Sequence, residues 1–159
     1  MTQAKSFEIQ ALTREYAAAH AEALIALNRD NAWDYWTADH LLSERPDKWR
    51  LSWVALSDGA PIGYAISSRR EYGVHMHHLV VAPEWRSHGI GRKLLWSAAN
   101  QARQLGISIL TLKAYRNNTR AVALYEKLGF RVTAELKEQL VEMTVDPPVL
   151  LAAFEEAGG

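Results

Sequence analysis

Two stretches of this chain hold residues whose types and spacing can do chemistry. The first is His75-Met76-His77-His78, followed by Leu79-Val80-Val81. Imidazole, with an unperturbed pKa of about 6.5, can take a proton from a nucleophile near neutrality. If this segment is a strand, alternation puts His75, His77, Leu79 and Val81 on one face and Met76, His78 and Val80 on the other. His75 and His77 are then candidate bases, although a strand histidine also serves simply to satisfy a backbone carbonyl. A metal ion is the rival use, but His78 points away on that reading and only Glu71 or Glu84 in the flanking turns offers an acid. The second stretch is Arg86-Ser87-His88-Gly89-Ile90-Gly91-Arg92, a two-glycine loop between an apolar run and a helical pattern. A helix that starts there aims its free N–H groups and the positive end of its dipole beyond the strand, which makes an anion site.

Charge distribution supports the same ligand. The chain balances 18 Lys+Arg against 18 Asp+Glu, yet Arg86 to Tyr125 contains seven cations and no acid. These cations also fit a solvated basic face; their coincidence with the glycine loop favours the anion site. A dinucleotide fingerprint is broken by Leu94 at its third glycine position and by the lack of an acid before Glu126. A P-loop is excluded because Ile90 alone separates the two glycines. What remains, Arg86-x-x-Gly89-x-Gly91, resembles the pyrophosphate loop of the GNAT N-acetyltransferases, which transfer acetyl from acetyl-CoA to amines. Asn118-x-x-Ala121-x-x-Leu124-Tyr125-Glu126-Lys127-Leu128-Gly129-Phe130 resembles the second cofactor motif of the same family.

The resemblance implies roles residue by residue. The acetyl-CoA pyrophosphate is expected on the N–H groups of Arg86, Ser87, His88, Gly89, Ile90 and Gly91, with Arg92 beside them. The pantetheine amides are expected along Leu79, Val80 and Val81, and Asn118 is expected to hydrogen-bond the pantetheine arm. Tyr125 is expected to protonate the departing thiolate, although alone it reads as an amphipathic core residue and Asn118 as a helix cap. The histidine strand is similar to that of arylalkylamine N-acetyltransferases, which makes His77, aided by His75, the expected base. His88 reads as a filler of a variable loop position. No covalent enzyme intermediate is expected, and the absence of cysteine excludes an acetyl-cysteine in any case.

Other elements must position these residues. Phe7 to Leu12 alternates as a strand; Thr13 caps a helix from Arg14 to Asn28; Thr37 to Glu44 is a short second helix. Between them, Asp30, Trp33, Asp34 and Trp36 suit an acceptor pocket for a cationic amine with an apolar body, or else the rings plug the core. Trp49 to Leu56 and Ala60 to Ser68 flank Asp58-Gly59 as a hairpin. The helix after Gly91 should end at Gly106 and lead to a strand over Ile107–Ala114, parallel to the histidine strand. A helix then runs to Gly129, strands follow from Phe130 and over Leu136–Val145, and a terminal helix spans Val149–Ala157.

The resemblance implies an α/β (α+β) fold around the βαβ unit that these patterns place at the centre: a mixed, mostly antiparallel sheet with helices on both faces, and a splay between the two parallel strands where pantetheine enters. At 159 residues and 17.9 kDa, 48% apolar, one domain spanning 1–159 is expected. No apolar run is long enough for a membrane span and no signal peptide opens the chain, so a cytoplasmic enzyme without a membrane partner is expected. Net neutrality and the lack of a helix-turn-helix or zinc-finger pattern argue against nucleic acid. The terminal helix is left to pack on its own subunit or on a second copy in a homodimer. The expected acceptor is a small-molecule amine, aromatic or cationic; a protein or peptide amine and a non-catalytic acyl-CoA sensor are the alternatives.

Overall fold

Asp58 (φ 49°) and Gly59 (φ 79°) both adopt the left-handed conformation that a two-residue hairpin turn requires. They join the first long pair of a sheet that the computed structural model describes over residues 6–28 and 36–156. In chain order the strands are β1 (Glu8–Ala11), β2 (Trp53–Ser57), β3 (Ala60–Arg70), β4 (Gly73–Val81), β5 (Leu110–Tyr115), β6 (Arg131–Lys137) and β7 (Leu140–Val145). The helices are α1 (Arg14–Ala19), α2 (Ala21–Ala26), α3 (Ala38–Leu42), α4 (Ile90–Gln104), α5 (Thr119–Lys127) and α6 (Pro147–Glu156). The sheet order is β1-β2-β3-β4-β5-β7-β6, and β4 with β5 is its one parallel pair. The βαβ unit β4-α4-β5 thus sits at the centre, as expected.

Helices cover both faces. On one, Leu94, Leu95, Ala98, Ala99 and Ala102 of α4 and Leu150 and Leu151 of α6 join Val74, Met76, Leu110, Leu112 and Met143 in the larger buried cluster. The terminal helix therefore packs on its own chain, against α4. On the other face, Ala17, Leu24 and Leu41 of α1 to α3 bury Val54, Tyr64, Ile66 and Val80.

Three local expectations are corrected. The first helix is two, broken at His20 (φ −121°, ψ 23°). The His20 ring stacks on Tyr16 at 4.0 Å, and its Nδ1 lies 3.0 Å from the Tyr16 carbonyl that its backbone N–H also uses. The strand expected from Trp49 begins only at Trp53, because Lys48–Arg50 forms a 3₁₀ turn.

The third correction changes the site. Across β3, Ile66 pairs with His78 but Ser67 pairs with Met76, so His77 is an extra residue, a β-bulge. Before the bulge Val74 and Met76 join the cluster beneath α4; beyond it Val80 joins the opposite cluster while Leu79 and Val81 pack toward α4. Simple alternation along His75–Val81 therefore fails. His78 does not point away from its neighbours: all three histidines line one cavity.

Candidate active site

The parallel pairing of β4 with β5 lasts only from Val74↔Leu110 to Met76↔Leu112, although β4 continues to Val81 and β5 to Tyr115. Beyond Met76 the strands part, and among the described residues no strand takes the edge that His77 to Val81 presents to the gap. Two cavities open there, one on each side of the start of α5.

The first, of about 550 Å³, lies over the glycine loop. Ser87 (φ 68°) and Gly89 (φ 80°) turn the chain through left-handed conformations, and Gly89 sits at the N-cap of α4 with no side-chain cap. No acid occupies the first turn of α4, so its leading N–H groups and dipole are not neutralised by a neighbouring carboxylate. Of the residues expected to hold acetyl-CoA, Leu79, Val80, Val81, Arg86, Ser87, Gly89, Ile90, Gly91, Arg92 and Asn118 line this cavity. His88 does not; its exposed ring turns Nδ1 to the Trp85 and Arg86 carbonyls at 3.2 and 2.9 Å. Asn118 occupies the N-cap position of α5, but its side chain makes no cap hydrogen bond. The donors, the cations and the uncapped turn fit a phosphate-bearing ligand.

Ala121 and Leu124 of the second motif complete this wall, and sequence reasoning missed Asn28, Trp85 and Arg120 in it. Arg120 donates to Ser87 Oγ at 3.3 Å, linking α5 to the loop. It belongs to the acid-free run of cations, which was the available signal. Asn28, arriving from the end of α2, had none.

The second cavity, of about 470 Å³, holds His75, His77, His78, Tyr125 and Trp36. It shares Leu79, Asn118 and Ala121 with the first, so the two meet at that point. Tyr125 lies only on this side, its ring edge-on to Phe130 at 5.6 Å, and burial pushes its phenol up to about 12. It stays protonated throughout the range in which an amine attacks.

The Trp36 ring stacks on His78 at 4.5 Å with 4° between the planes, and the Tyr64 ring lies tilted 5.5 Å from the same imidazole. Trp33, Asp34 and Asp30 lie outside the described residues.

His77 Nε2 and Ser68 Oγ share a hydrogen bond of 2.7 Å, as do His75 Nδ1 and Thr111 Oγ1. Thr111 Oγ1 lies 3.2 Å from the hydroxyl of exposed Tyr72, so a hydrogen-bonded chain runs from buried His75 to the surface. Desolvation, then the positive charges of Arg70, Lys113 and Arg45, lowers His75 to about 4. Desolvation, His75 and the nearby cations lower His77 to about 3. Both rings are neutral at physiological pH, and both are far weaker bases than a free imidazole. Among the described residues no group of three His, Asp or Glu converges as a metal site.

Arg45, Arg70 and Lys113 also line this cavity, and no Asp or Glu is among its described lining residues.

The model of the Acetyltransferase (GNAT) family matches residues 9–130. The peptidyl-lysine N-acetyltransferase YjaB of Escherichia coli (strain K12) is 35% identical over 103 residues, 64% of this chain and 63% of that protein. The chain spans about half to just under two thirds of the length of the curated relatives it matches. The ribosomal-protein-S18-alanine N-acetyltransferase from Escherichia coli superposes with a TM-score of 0.74 at 21% identity, covering 89% of this chain and 94% of that one. The PaiA N-acetyltransferase from Thermoplasma acidophilum, solved in complex with coenzyme A, gives 0.71 at 21% identity, covering 89% and 99%. With its parted β4 and β5, its glycine loop at the head of α4 and a family match over most of its length, this chain belongs to the GNAT acetyltransferase family.

Proposed function

We propose that the protein is an acetyl-CoA-dependent N-acetyltransferase that acts on a primary amine by direct attack. One observation carries this reading: the anion-binding cavity and the histidine–tyrosine cavity meet at Leu79, Asn118 and Ala121. A thioester threaded from the first would emerge beside Tyr125 in the second. Donors at Arg86 to Arg92 hold the phosphates, and the unpaired β4 edge from His77 to Val81 offers amide partners to the pantetheine arm. The Val81 carbonyl already accepts from Arg86 Nε at 3.3 Å.

In the transfer a C–N bond forms and the C–S bond breaks. Tyr125 gives its proton to the departing sulfur, and the acceptor nitrogen loses one. With His77 and His75 held near 3 and 4, the nitrogen is not deprotonated by a strong base. The cavity instead lowers the acceptor's own pKa, because desolvation and the nearby cations disfavour an ammonium. The neutral imidazoles then accept hydrogen bonds from the amine or from an ordered water, and the chain through Thr111 and Tyr72 leads toward solvent.

The acceptor is most simply a peptide or protein amine, since the matched relatives are named for peptidyl-lysine and ribosomal protein alanine substrates. A small aromatic amine is the second reading, supported by the Trp36–His78 stack in the cavity wall. Thiol release from acetyl-CoA against peptides, amino acids, polyamines and arylalkylamines tests the function. Release with one class establishes transfer and names the acceptor; acetyl-CoA binding without release from any class would sink it in favour of a sensor.

A further inference from the structure

The second cavity has a charge that the transfer reaction itself does not require. Arg45 precedes the 3₁₀ turn, Arg70 ends β3 and Lys113 lies on β5, so three separate segments bring cations to one wall. The chain as a whole is neutral, with 18 cations and 18 acids, so this imbalance is local.

Glu71, next to Arg70 in sequence, does not line the cavity, and two acids that flank Arg45 are engaged elsewhere. Glu44 pairs with Arg14 at 2.7 Å, and Asp47 lies 3.7 Å from Arg50 and 3.8 Å from Arg69. Glu142 is the cross-strand partner of Lys113 but does not line the cavity. Arg70 Nη1 reaches only the Tyr72 hydroxyl, at 3.4 Å. Among the described residues none of the three cations forms an ion pair, and all three depress His75 through their positive potential. Among the described residues no acid lines the cavity with them, and a cluster of cations attracts an anion and repels a further cation.

We infer that the acceptor site selects an amine carrying a carboxylate or phosphate in the same molecule, held by Arg45, Arg70 and Lys113 while its nitrogen faces His77 and Tyr125. The inference rests on the acetyl-transfer reading and names its acceptor class. Amines in basic surroundings are disfavoured, as are polyamines. A free carboxylate and an acidic residue flanking the amine of a peptide present the same chemistry to these cations.

The test uses matched acceptors on the full chain. Peptides with one amine flanked by Glu are compared with Gln counterparts, and amino acids with their amides, so the two sources are read separately. The acidic member of a pair is expected to show kcat/KM about 10-fold or more higher, the ratio that one retained charge-assisted contact supports. The ratio should fall below about 3-fold at about 0.5 M salt, where such contacts are screened. It should fall likewise in the Arg70→Gln/Lys113→Gln variant, whose acetyl-CoA affinity reports that it is folded. Calorimetry of CoA-saturated protein with the same pairs gives a readout independent of turnover.

Equal or inverted ratios with turnover present overturn the inference and leave acetyl transfer standing. No thiol release from any acceptor, with acidic members binding and the double variant losing that binding, overturns transfer and supports the anion site. Neither release nor selective binding overturns the inference.

Discussion

In the proposed transfer, Tyr125 and the histidines divide the proton traffic between them. A phenol held near 12 remains a donor at any pH at which acetyl-CoA is stable, and it lines the second cavity, one turn along α5 from the Ala121 that both cavities share. Tyr125→Phe removes the donor and keeps the ring on Phe130, so kcat should fall about 100-fold or more while acetyl-CoA affinity changes less than about threefold. Single-turnover thiol release and equilibrium binding check the two halves. His75 and His77 carry a different prediction. The folded rings titrate near 4 and 3, whereas unfolded histidine titrates near 6.5, so below that pH the unfolded chain binds more protons than the native one. Their contribution to stability is complete above about pH 6.5 and is lost as pH falls toward 4 and 3, at about 1.4 kcal/mol per pH unit for each ring. Urea titrations between pH 7 and 4 should show this slope, and His75→Gln/His77→Gln should flatten it. The rate profile should carry no limb near 6.5 that the double variant abolishes.

Lys48 shows how a short helix is kept in place at the acceptor cavity. Thr37 caps the start of α3, accepting from the His40 N–H at 3.4 Å. At the other end Lys48, only 1% exposed, donates from Nζ to the carbonyls of Leu41 at 2.7 Å, Ser43 at 2.5 Å and His40 at 3.4 Å. Desolvation, and secondarily Arg45, lowers its ammonium to about 8. A five-residue helix has too few internal bonds to hold itself, so this buried donor is its anchor. Lys48→Met should destabilise the fold by about 2–3 kcal/mol, because carbonyls that accepted from a charge lose their partner. Trp36 and His40 line the acceptor cavity and the glycine loop lies elsewhere, so KM for the amine should rise while acetyl-CoA affinity is retained. An equal loss of both would show that α3 supports the whole sheet.

At the scale of the molecule, the site exists because β4 and β5 pair over three residues and then part. Strand edges, loop N–H groups and the α5 start come together only in the native sheet, so coenzyme A should bind the folded state alone. At about 100 times its dissociation constant it should stabilise the protein by about 2.7 kcal/mol. For a domain of this length that is a rise in Tm of about 5–10 °C, readable by calorimetry. Replacing Gly89, whose φ of 80° suits glycine and whose absent Cβ would meet nothing within 4 Å, separates binding from packing. Gly89→Ala should cost about 1–2 kcal/mol of stability through left-handed strain alone, measured without ligand.

What could be read from the sequence was local. The Arg86-x-x-Gly89-x-Gly91 loop and the Asn118–Tyr125 helix are each a run of neighbouring residues, so their motifs survive without knowledge of the fold. The hairpin at Asp58-Gly59 and the βαβ order were legible for the same reason: turn chemistry and hydrophobic period act over a few residues. Tertiary structure decided the rest. Register against β3 inserted the bulge at His77 and moved His78 into the same cavity as His75, which period-2 alternation cannot foresee. Pairing across 33 positions brought Arg120 to Ser87. The second cavity's cations, Arg45, Arg70 and Lys113, come from three segments whose convergence depends on how the sheet assembles and has no signature in the linear chain. Likewise, a histidine's ordinary pKa is a property of its type, but its value near 3 or 4 is a property of the solvent that folding removes and the charges that folding gathers.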